Sequence, residues 1–298
     1  MVAMGRLVGV VALVASVFAV TAAGGRSATS NGLIVFPGTP ENSTITQLFA
    51  VDANGQNLRQ LTKSGAQAYQ PVFSPAGTRI AFVRLGYGIY TMNPDGGGLR
   101  RMTTGARDAN PAWSPDGKTI AFVRPQGTAW RVWSVPVKGG QPKSLRVQPP
   151  AGRPTWIKSG LLVPTGGDMI SVNPKTGRIV KYLDADVDAI WGQNSVTVAP
   201  NGSYLAYVGT RDPIPGDMEC GDGPCQRFGL FLENLKAKKK IGKLWVRDAG
   251  AAAFSPDSKR VAYVTAGKLW LRGVTAAGGS AISTPGVTPN LTGPPAWH

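Results

Sequence analysis

Short apolar runs, some alternating and some continuous, recur along the chain between Gly, Pro, Asn and Asp residues and predict β-strands. One longer pattern, QPVFSPAGTRIAFVR from Gln70, returns from Asn110 as NPAWSPDGKTIAFVR. It returns again from Ser195 and Ala251, and a degenerate copy begins at Arg153. The period is about 42 residues, which is typical of β-propeller blades with four strands each.

One apolar anchor position marks each repeat, with gaps of 40, 43, 42, 56 and 43 residues between Phe73, Trp113, Trp156, Val198, Phe254 and Trp297. The last repeat stops one residue after its anchor, whereas the first segment, 31–62, has three strand-like runs and no anchor. Together the two fragments make one repeat, and closing the ring removes exposed sheet edges. We therefore predict an all-β, six-bladed propeller with four antiparallel strands per blade, whose first blade combines N- and C-terminal strands.

The repeated turn and the anchors both indicate structural roles. Ser-Pro-Asp-Gly suits a tight reversal, because Pro fixes φ and Gly relieves strain. Prolines at 71, 111, 154 and 295 are tolerated in an inner strand whose free edge faces a channel. The recurrent anchors are interpreted as packing between blades, with ligand stacking as the alternative.

The chain divides into a predicted signal peptide (1–23), a flexible lead-in (24–30) and a single propeller (31–298). Arg6, a short apolar run and Thr21-Ala22-Ala23 match the charged, apolar and cleavage regions of a secretory signal. An uncleaved anchor is the alternative, but the run is shorter than a bilayer-spanning helix requires. We predict a secreted or periplasmic protein without a transmembrane segment after cleavage, and a disulfide between Cys220 and Cys225.

The chain is strongly basic, with 32 Lys and Arg against 16 Asp and Glu and a net charge of +16. This excess favours an acidic partner, such as a protein or an anionic cell-envelope polymer, although simple solubility is the alternative. Export and the lack of an exposed aromatic–basic pattern argue against nucleic acid. The densest run, 236–243, is interpreted as a solvated turn.

Two faces of the ring differ in their loops. The short Ser-Pro-Asp-Gly turns occupy one face, and the other face, called here the loop-rich face, receives the variable second-to-third loops and the connectors between blades. Variable loops on a rigid scaffold are where binding normally occurs. Guanidinium groups beside amides suit a carboxylate or phosphate, and the candidate partner-binding residues on this face are Arg84, Arg124, Arg153, Gln70, Asn110 and Asp108. Salt bridges to neighbouring blades or solvent exposure are the alternatives for Arg84 and Arg124.

Metal binding and catalysis have weaker support. Asp184, Asp186 and Asp188 resemble the start of a calcium loop, but Ala189 replaces the required Gly and Ser195 stands at the twelfth position. We interpret them as acidic loop residues that pair with nearby Arg, with a calcium site of another type as the alternative. The one His is residue 298, which argues against His-dependent triads and metal-dependent lyases. We predict no metal, no cofactor and no catalytic residues.

The repeats resemble those of TolB-type propellers, whose blades carry PxWSPDG, IAF, IYxMxxDG and LT. The matching segments are 111–117, 120–122, 89–96, 61–62 and 102–103. The resemblance covers about residues 31–298 and implies a six-bladed ring in an exported or periplasmic protein. TolB itself also has an N-terminal α/β domain, and we predict no counterpart of it in this sequence. The resemblance indicates the scaffold and leaves the ligand open.

The sequence predicts a monomeric, non-enzymatic exported propeller that recognises a protein or an anionic cell-envelope polymer through its loop-rich face. The alternative is a glycan-active lyase or hydrolase with Asp, Tyr or Arg at the channel mouth.

Overall fold

Six antiparallel sheets surround a central channel, which confirms the predicted all-β, six-bladed propeller with four antiparallel strands per blade. The computed structural model describes residues 32–145, 153–157, 160–164, 169–176, 178–183, 196–211, 227–234, 246–247, 249–250, 252–276, 278–290 and 293–298. Within these residues, no helix is long and apolar enough to cross a membrane.

Blades 2 to 4 each follow the order inner, second, third and outer strand along the chain. Blade 2 contains β4 (Ala68–Phe73), β5 (Ile80–Arg84), β6 (Gly88–Met92) and β7 (Arg100–Arg101). Blade 3 contains β8 (Ala109–Trp113), β9 (Thr119–Gln126), β10 (Ala129–Pro136) and β11 (Lys143–Ser144). Blade 4 contains β12 (Thr155–Ile157), β13 (Gly160–Pro164), β14 (Met169–Val172) and β15 (Ile179–Leu183).

Blades 5 and 6 repeat this order, and blade 1 combines both ends of the chain. Blade 5 contains β16 (Val196–Val198), β17 (Tyr204–Arg211), β18 (Arg227–Asn234) and β19 (Val246–Arg247). Blade 6 contains β20 (Ala252–Phe254), β21 (Arg260–Thr265), β22 (Lys268–Gly273) and β23 (Gly279–Ile282). Blade 1 contains β1 (Leu33–Pro40), β2 (Gln47–Asp52), β3 (Arg59–Gln60), β24 (Val287–Pro289) and β25 (Ala296–Trp297).

The predicted closure of blade 1 is confirmed, with one addition. The inner strand β25 pairs with β1, where Trp297 lies opposite Ile34. A further strand, β24, pairs with the other end of β1, where Val287 lies opposite Pro40. The long strand β1 therefore binds C-terminal segments at both of its ends.

Alternation along each second strand explains why the blades stack. In β5, Ile80 and Phe82 pack toward blade 1, whereas Ala81 and Val83 pack toward blade 3. In β21, Val261 packs toward blade 5 and Ala262 toward blade 1. Side chains alternate across a strand, so a continuous apolar run buries both faces of its sheet.

The anchors pack between blades, as the repeat pattern indicated. The Trp113 side chain lies in the core between blades 2 and 3, and its Nε1–H donates to the carbonyl of Val72 at 3.2 Å. The Trp156 Nε1–H likewise donates to the carbonyl of Ala112 at 3.1 Å. These two indoles join the inner strands of blades 3 and 4 to the inner strand of the preceding blade, because a buried indole needs a hydrogen-bond acceptor.

The Ser-Pro-Asp-Gly segment forms the expected tight turn between inner and second strands. In blade 3 the N–H of Gly117 donates to the carbonyl of Ser114 at 2.8 Å, and Gly117 has φ +67°. In blade 6 the same turn has Ser258 at φ +60°. The fourth position is therefore left-handed in both turns, which explains the glycine preference.

The turn carboxylates give a testable pH dependence. The Ser114 hydroxyl, and after it the Lys118 amide, lower the pKa of Asp116. The Ser255 hydroxyl and the Lys259 amide do the same for Asp257. A carboxyl with a lowered folded pKa adds stability above its unfolded pKa, and this contribution is lost as the pH falls through the folded value.

We therefore expect the wild type to lose stability relative to the double variant Asp116→Asn/Asp257→Asn when the pH falls from about 5 to about 3. The effect is small because both groups are exposed and screened by solvent. Asn is a suitable replacement, since Asn201 already accepts the Ser203 N–H in the turn of blade 5. Urea unfolding of both proteins at the two pH values measures the difference between their free energies of unfolding. If this difference does not change with pH, the two carboxylates do not have the lowered pKa assigned to them.

Candidate functional site

A channel of about 470 Å³ runs between the inner strands of all six blades. The position just before each anchor lines it in every blade, and the residues there are small or medium-sized: Val72, Ala112, Thr155, Thr197, Ala253 and Ala296. These side chains leave the channel open at this level. The mouth at the loop-rich face includes Pro71, Arg153 and Pro154, and the opposite end includes Pro75 and His298.

Gln70 and Asn110, two of the candidate residues on the loop-rich face, form matching bulges in the inner strands of blades 2 and 3. Both have φ +56°, and the strand register shifts at each of them. Both are buried, and the Gln70 Oε1 accepts the backbone N–H of Asn110 at 2.7 Å. The pair therefore joins two neighbouring blades. Within the described part of the chain, the buried Asn110 Oδ1 has no hydrogen-bond partner.

Arg153 occupies the equivalent position in blade 4 and is 8% exposed. Its Nε and Nη2 groups donate to the carbonyl of Pro111 at 3.2 and 3.1 Å. Burial lowers the pKa of Arg153 to about 10 from 12.5, because desolvation disfavours the cation. The side chain is a buried positive charge on the wall of the channel.

Arg124 and Asp108 form a fork-shaped ion pair at the start of blade 3. Arg124 Nε and Nη2 donate to the two carboxylate oxygens at 2.6 and 2.7 Å. The Asp108 side chain is fully buried, while that of Arg124 is 23% exposed. The hydrogen bond to Asp108 raises the pKa of Arg124. A Cβ on Gly105 would clash with the Asp108 carboxylate, which the ion pair holds in place, so this position favours glycine.

Arg84 follows the same strand sequence in blade 2 but has a different environment. Its cross-strand neighbour is Ala68, at the position that Asp108 occupies in blade 3. Its guanidinium instead lies over the ring of Tyr87 at 4.7 Å and that of Tyr90 at 5.6 Å. Its buried Nε has no hydrogen-bond partner among the described residues.

An aromatic and basic surface that the sequence analysis missed lies beside Arg84. Leu85 and Tyr87, in the β5–β6 hairpin, are each 45% exposed. In blade 3 the exposed Arg107 lies over the ring of Trp130 at 5.6 Å. We define the blade 2–3 surface as Arg84, Leu85, Tyr87, Arg107 and Trp130. Its sequence signal is an aromatic residue in the hairpin that follows each IAFVR strand.

The six predicted binding residues therefore separate into small groups. Asp108 pairs with Arg124, Gln70 with Asn110, and Arg153 with the backbone of blade 3. Arg124 does form a salt bridge, but its partner Asp108 belongs to the same blade and not to a neighbouring one. Arg84 belongs to the blade 2–3 surface, and Arg153 belongs to the channel.

Several predictions fall outside the described residues. These are the signal peptide, the disulfide between Cys220 and Cys225, the possible calcium ligands Asp184, Asp186 and Asp188, and the basic run 236–243. They stay predictions. Among the described residues there is no group of three or more His, Cys, Asp or Glu side chains that could hold a metal ion.

The chain belongs to the TolB beta propeller domain family, whose sequence pattern matches residues 30–186. This match confirms the resemblance inferred from the repeats. No curated protein matches the sequence.

Solved structures share the fold across proteins with different names. TolB from Acinetobacter baumannii superposes with a TM-score of 0.62 at 17% identity, covering 89% of this chain and 66% of that one, slightly less than two thirds. A chain of a nidogen–laminin complex gives 0.60 at 11% identity, with 89% and 98% covered. An oligogalacturonate lyase in complex with manganese gives 0.52 at 11% identity, with 85% and 74% covered. At these identities the similarity concerns the fold alone.

Proposed function

We propose that this chain is an exported, non-enzymatic binding propeller that recognises a protein or an anionic cell-envelope polymer through its loop-rich face. The observation that carries the proposal is the blade 2–3 surface, where guanidinium groups lie over aromatic rings and two large apolar side chains are exposed. Tyr, Trp and Arg are the residues that most often dominate binding energy at protein interfaces.

The charge of the chain supports the same partner chemistry. The net charge is +16, and Arg84 and Arg107 place positive groups on this surface. A cation held over an aromatic ring is positioned before the partner arrives, which reduces the entropy lost on binding. An acidic partner with some apolar surface would complement Leu85 and Tyr87.

Export to the cell envelope rests on residues 1–23 and on the family. The similarity to a nidogen–laminin complex and to TolB proteins supports protein binding as a use of this fold, although each of these names describes only its own protein.

We expect the triple variant Arg84→Ala/Tyr87→Ala/Arg107→Ala to lose at least about tenfold in partner affinity while keeping its melting temperature near that of the wild type. The measurement is capture from a cell-envelope fraction, followed by titration of the captured component. Wild-type affinity should also fall with added salt, because exposed charges are screened over about 8 Å at physiological ionic strength.

The matched control is Lys118→Ala/Lys259→Ala, which also removes two positive charges, but from exposed turns on the opposite face. Equal losses in both variants would mean that only net charge matters, and the assignment of the surface would be wrong. Undiminished capture by the triple variant would exclude the blade 2–3 surface altogether.

A further inference from the structure

We propose that the central channel is a second, separate binding site, which takes a small molecule with an apolar body and one carboxylate, and that Arg153 is the cation that binds this carboxylate. The site is independent of the blade 2–3 surface, so either proposal can fail without the other.

The channel has the size and lining of a small-molecule site. Its volume of about 470 Å³ falls within the roughly 300–1,000 Å³ usual for ligand pockets. Its walls combine the small residues before each anchor with aromatic rings and prolines, including Trp113, Trp156, Phe254 and Pro295. An apolar ligand body fits such walls, because burial removes both surfaces from water.

Arg153 supplies the polar contact that would fix the orientation of the ligand. A guanidinium has five N–H groups, and the contacts that the structure gives Arg153 join two of its nitrogens to a single carbonyl, that of Pro111. Further N–H groups therefore remain for a ligand. Among the described residues that line the channel there is no Asp or Glu to balance this charge.

The energetics favour an anion beside Arg153. Buried charges are normally paired, because removing an ion from water costs several kcal/mol, on the order of what a good partner restores. The pKa of Arg153, lowered to about 10 by burial, reflects the same unfavourable desolvation. A bound anion would stabilise the protonated guanidinium and offset this cost.

A carboxylate suits the site better than a phosphate. One guanidinium balances one negative charge, and a planar carboxylate can accept two parallel N–H groups from it. A phosphate dianion would bring a second charge into a channel whose other described lining residues are apolar or neutral, apart from His298 at the opposite end.

Benzoate is a suitable probe because it joins an aromatic body to one carboxylate, and benzamide is its neutral counterpart. Binding is measured by calorimetry and by tryptophan fluorescence, since Trp113, Trp156 and Trp297 line the channel. We expect saturable one-to-one binding of benzoate to the purified chain. The affinity for benzoate should be at least about tenfold higher than that for benzamide, because a hydrogen bond to a charged group contributes more than one to a neutral group. Inorganic phosphate at the same concentration should not compete.

Two variants test the position of the site. Arg153→Met should weaken benzoate binding at least about tenfold, the loss expected for one charged hydrogen bond. Arg100→Met is the matched control, because Arg100 also donates to carbonyls of a neighbouring blade, those of Val137 and Lys138, but is exposed on the outer strand β7. This control should bind benzoate as the wild type does.

Thr197→Trp keeps Arg153 and fills the channel, so it should abolish benzoate binding even if Arg153→Met fails to fold. The proposal is overturned if the wild type shows no saturable benzoate binding, if benzamide or phosphate binds equally well, or if a folded Arg153→Met or Thr197→Trp protein retains the wild-type affinity.

Discussion

Deleting Pro294 to His298 is expected to lower the free energy of unfolding by about 3–5 kcal/mol, the range for removing a buried tryptophan. Trp297 is 7% exposed and packs with Ile34, Phe36 and Leu269 in the core between blades 6 and 1. The Arg260 guanidinium also lies 5.0 Å from its ring. Five terminal residues of most proteins are poorly ordered and contribute little, so the expected loss is specific to a closed ring.

The deletion also opens blade 1. Leu33 and His298 exchange backbone hydrogen bonds, and Ala296 pairs with Val35 in the sheet. Without β25, the inner edge of β1 beside these residues becomes unpaired, which invites association between chains. We therefore expect the truncated protein to aggregate at lower temperature as well as to unfold more easily.

Thermal and urea unfolding of the truncated protein measure this loss. Two controls separate its causes. Trp297→Ala removes the indole and keeps β25, so it reports the packing contribution alone. Deleting His298 alone removes the contact of its ring with Phe73 and its hydrogen bonds to Leu33 and Pro75, and keeps Trp297 in place. A truncated protein that melts within about 2 °C of the full chain would contradict the contribution of β25 to stability.

Much of this architecture could be predicted from the sequence because a propeller repeats its local chemistry. The period defined the blades, and the complementary fragments at the two ends defined the closure of blade 1. The second contact of the C-terminal segment, between β24 and β1, was missed. Residues 287–289 belong to no repeat, and pairing between residues so distant in sequence has no local signal.

The candidate site was less predictable, because residues at equivalent positions have different neighbours. Arg84 and Arg124 both follow an IAFV strand, yet only Arg124 has a carboxylate on the adjacent strand. Aligning the repeats on their anchors places Asp108 and Ala68 at the same position, so this difference was present in the sequence. The burial of Arg153 had no such signal, since it depends on the packing of blade 4 against blade 3.

Replacing Arg124 by Met is expected to destabilise the protein by about 3–5 kcal/mol, because it leaves a buried carboxylate without its cation. Asp108 has a fully buried side chain and cannot reach water, whereas the Arg124 side chain is partly exposed. The reverse change, Asp108→Ala, should therefore cost less, about 1–3 kcal/mol, since Arg124 can turn toward solvent.

The double variant Asp108→Ala/Arg124→Met separates the ion pair from the packing. Removing both charges should recover at least about 1 kcal/mol relative to Arg124→Met alone, because no unpaired charge remains buried. Urea unfolding of the four proteins gives this coupling energy directly. Additive losses would mean that the two residues contribute through separate contacts.

Arg84→Met in blade 2 is the matched control for this cycle. It removes the same side chain from the same position of the repeat, where Ala68 replaces the carboxylate and the guanidinium lies over Tyr87 and Tyr90. We expect it to cost about 1 kcal/mol, since Arg84 is partly exposed and a cation–π contact contributes about 0.5–1 kcal/mol at exposed sites and more when desolvated. A loss as large as that of Arg124→Met would show that the position in the blade, and not the pairing with Asp108, determines the contribution of the arginine to stability.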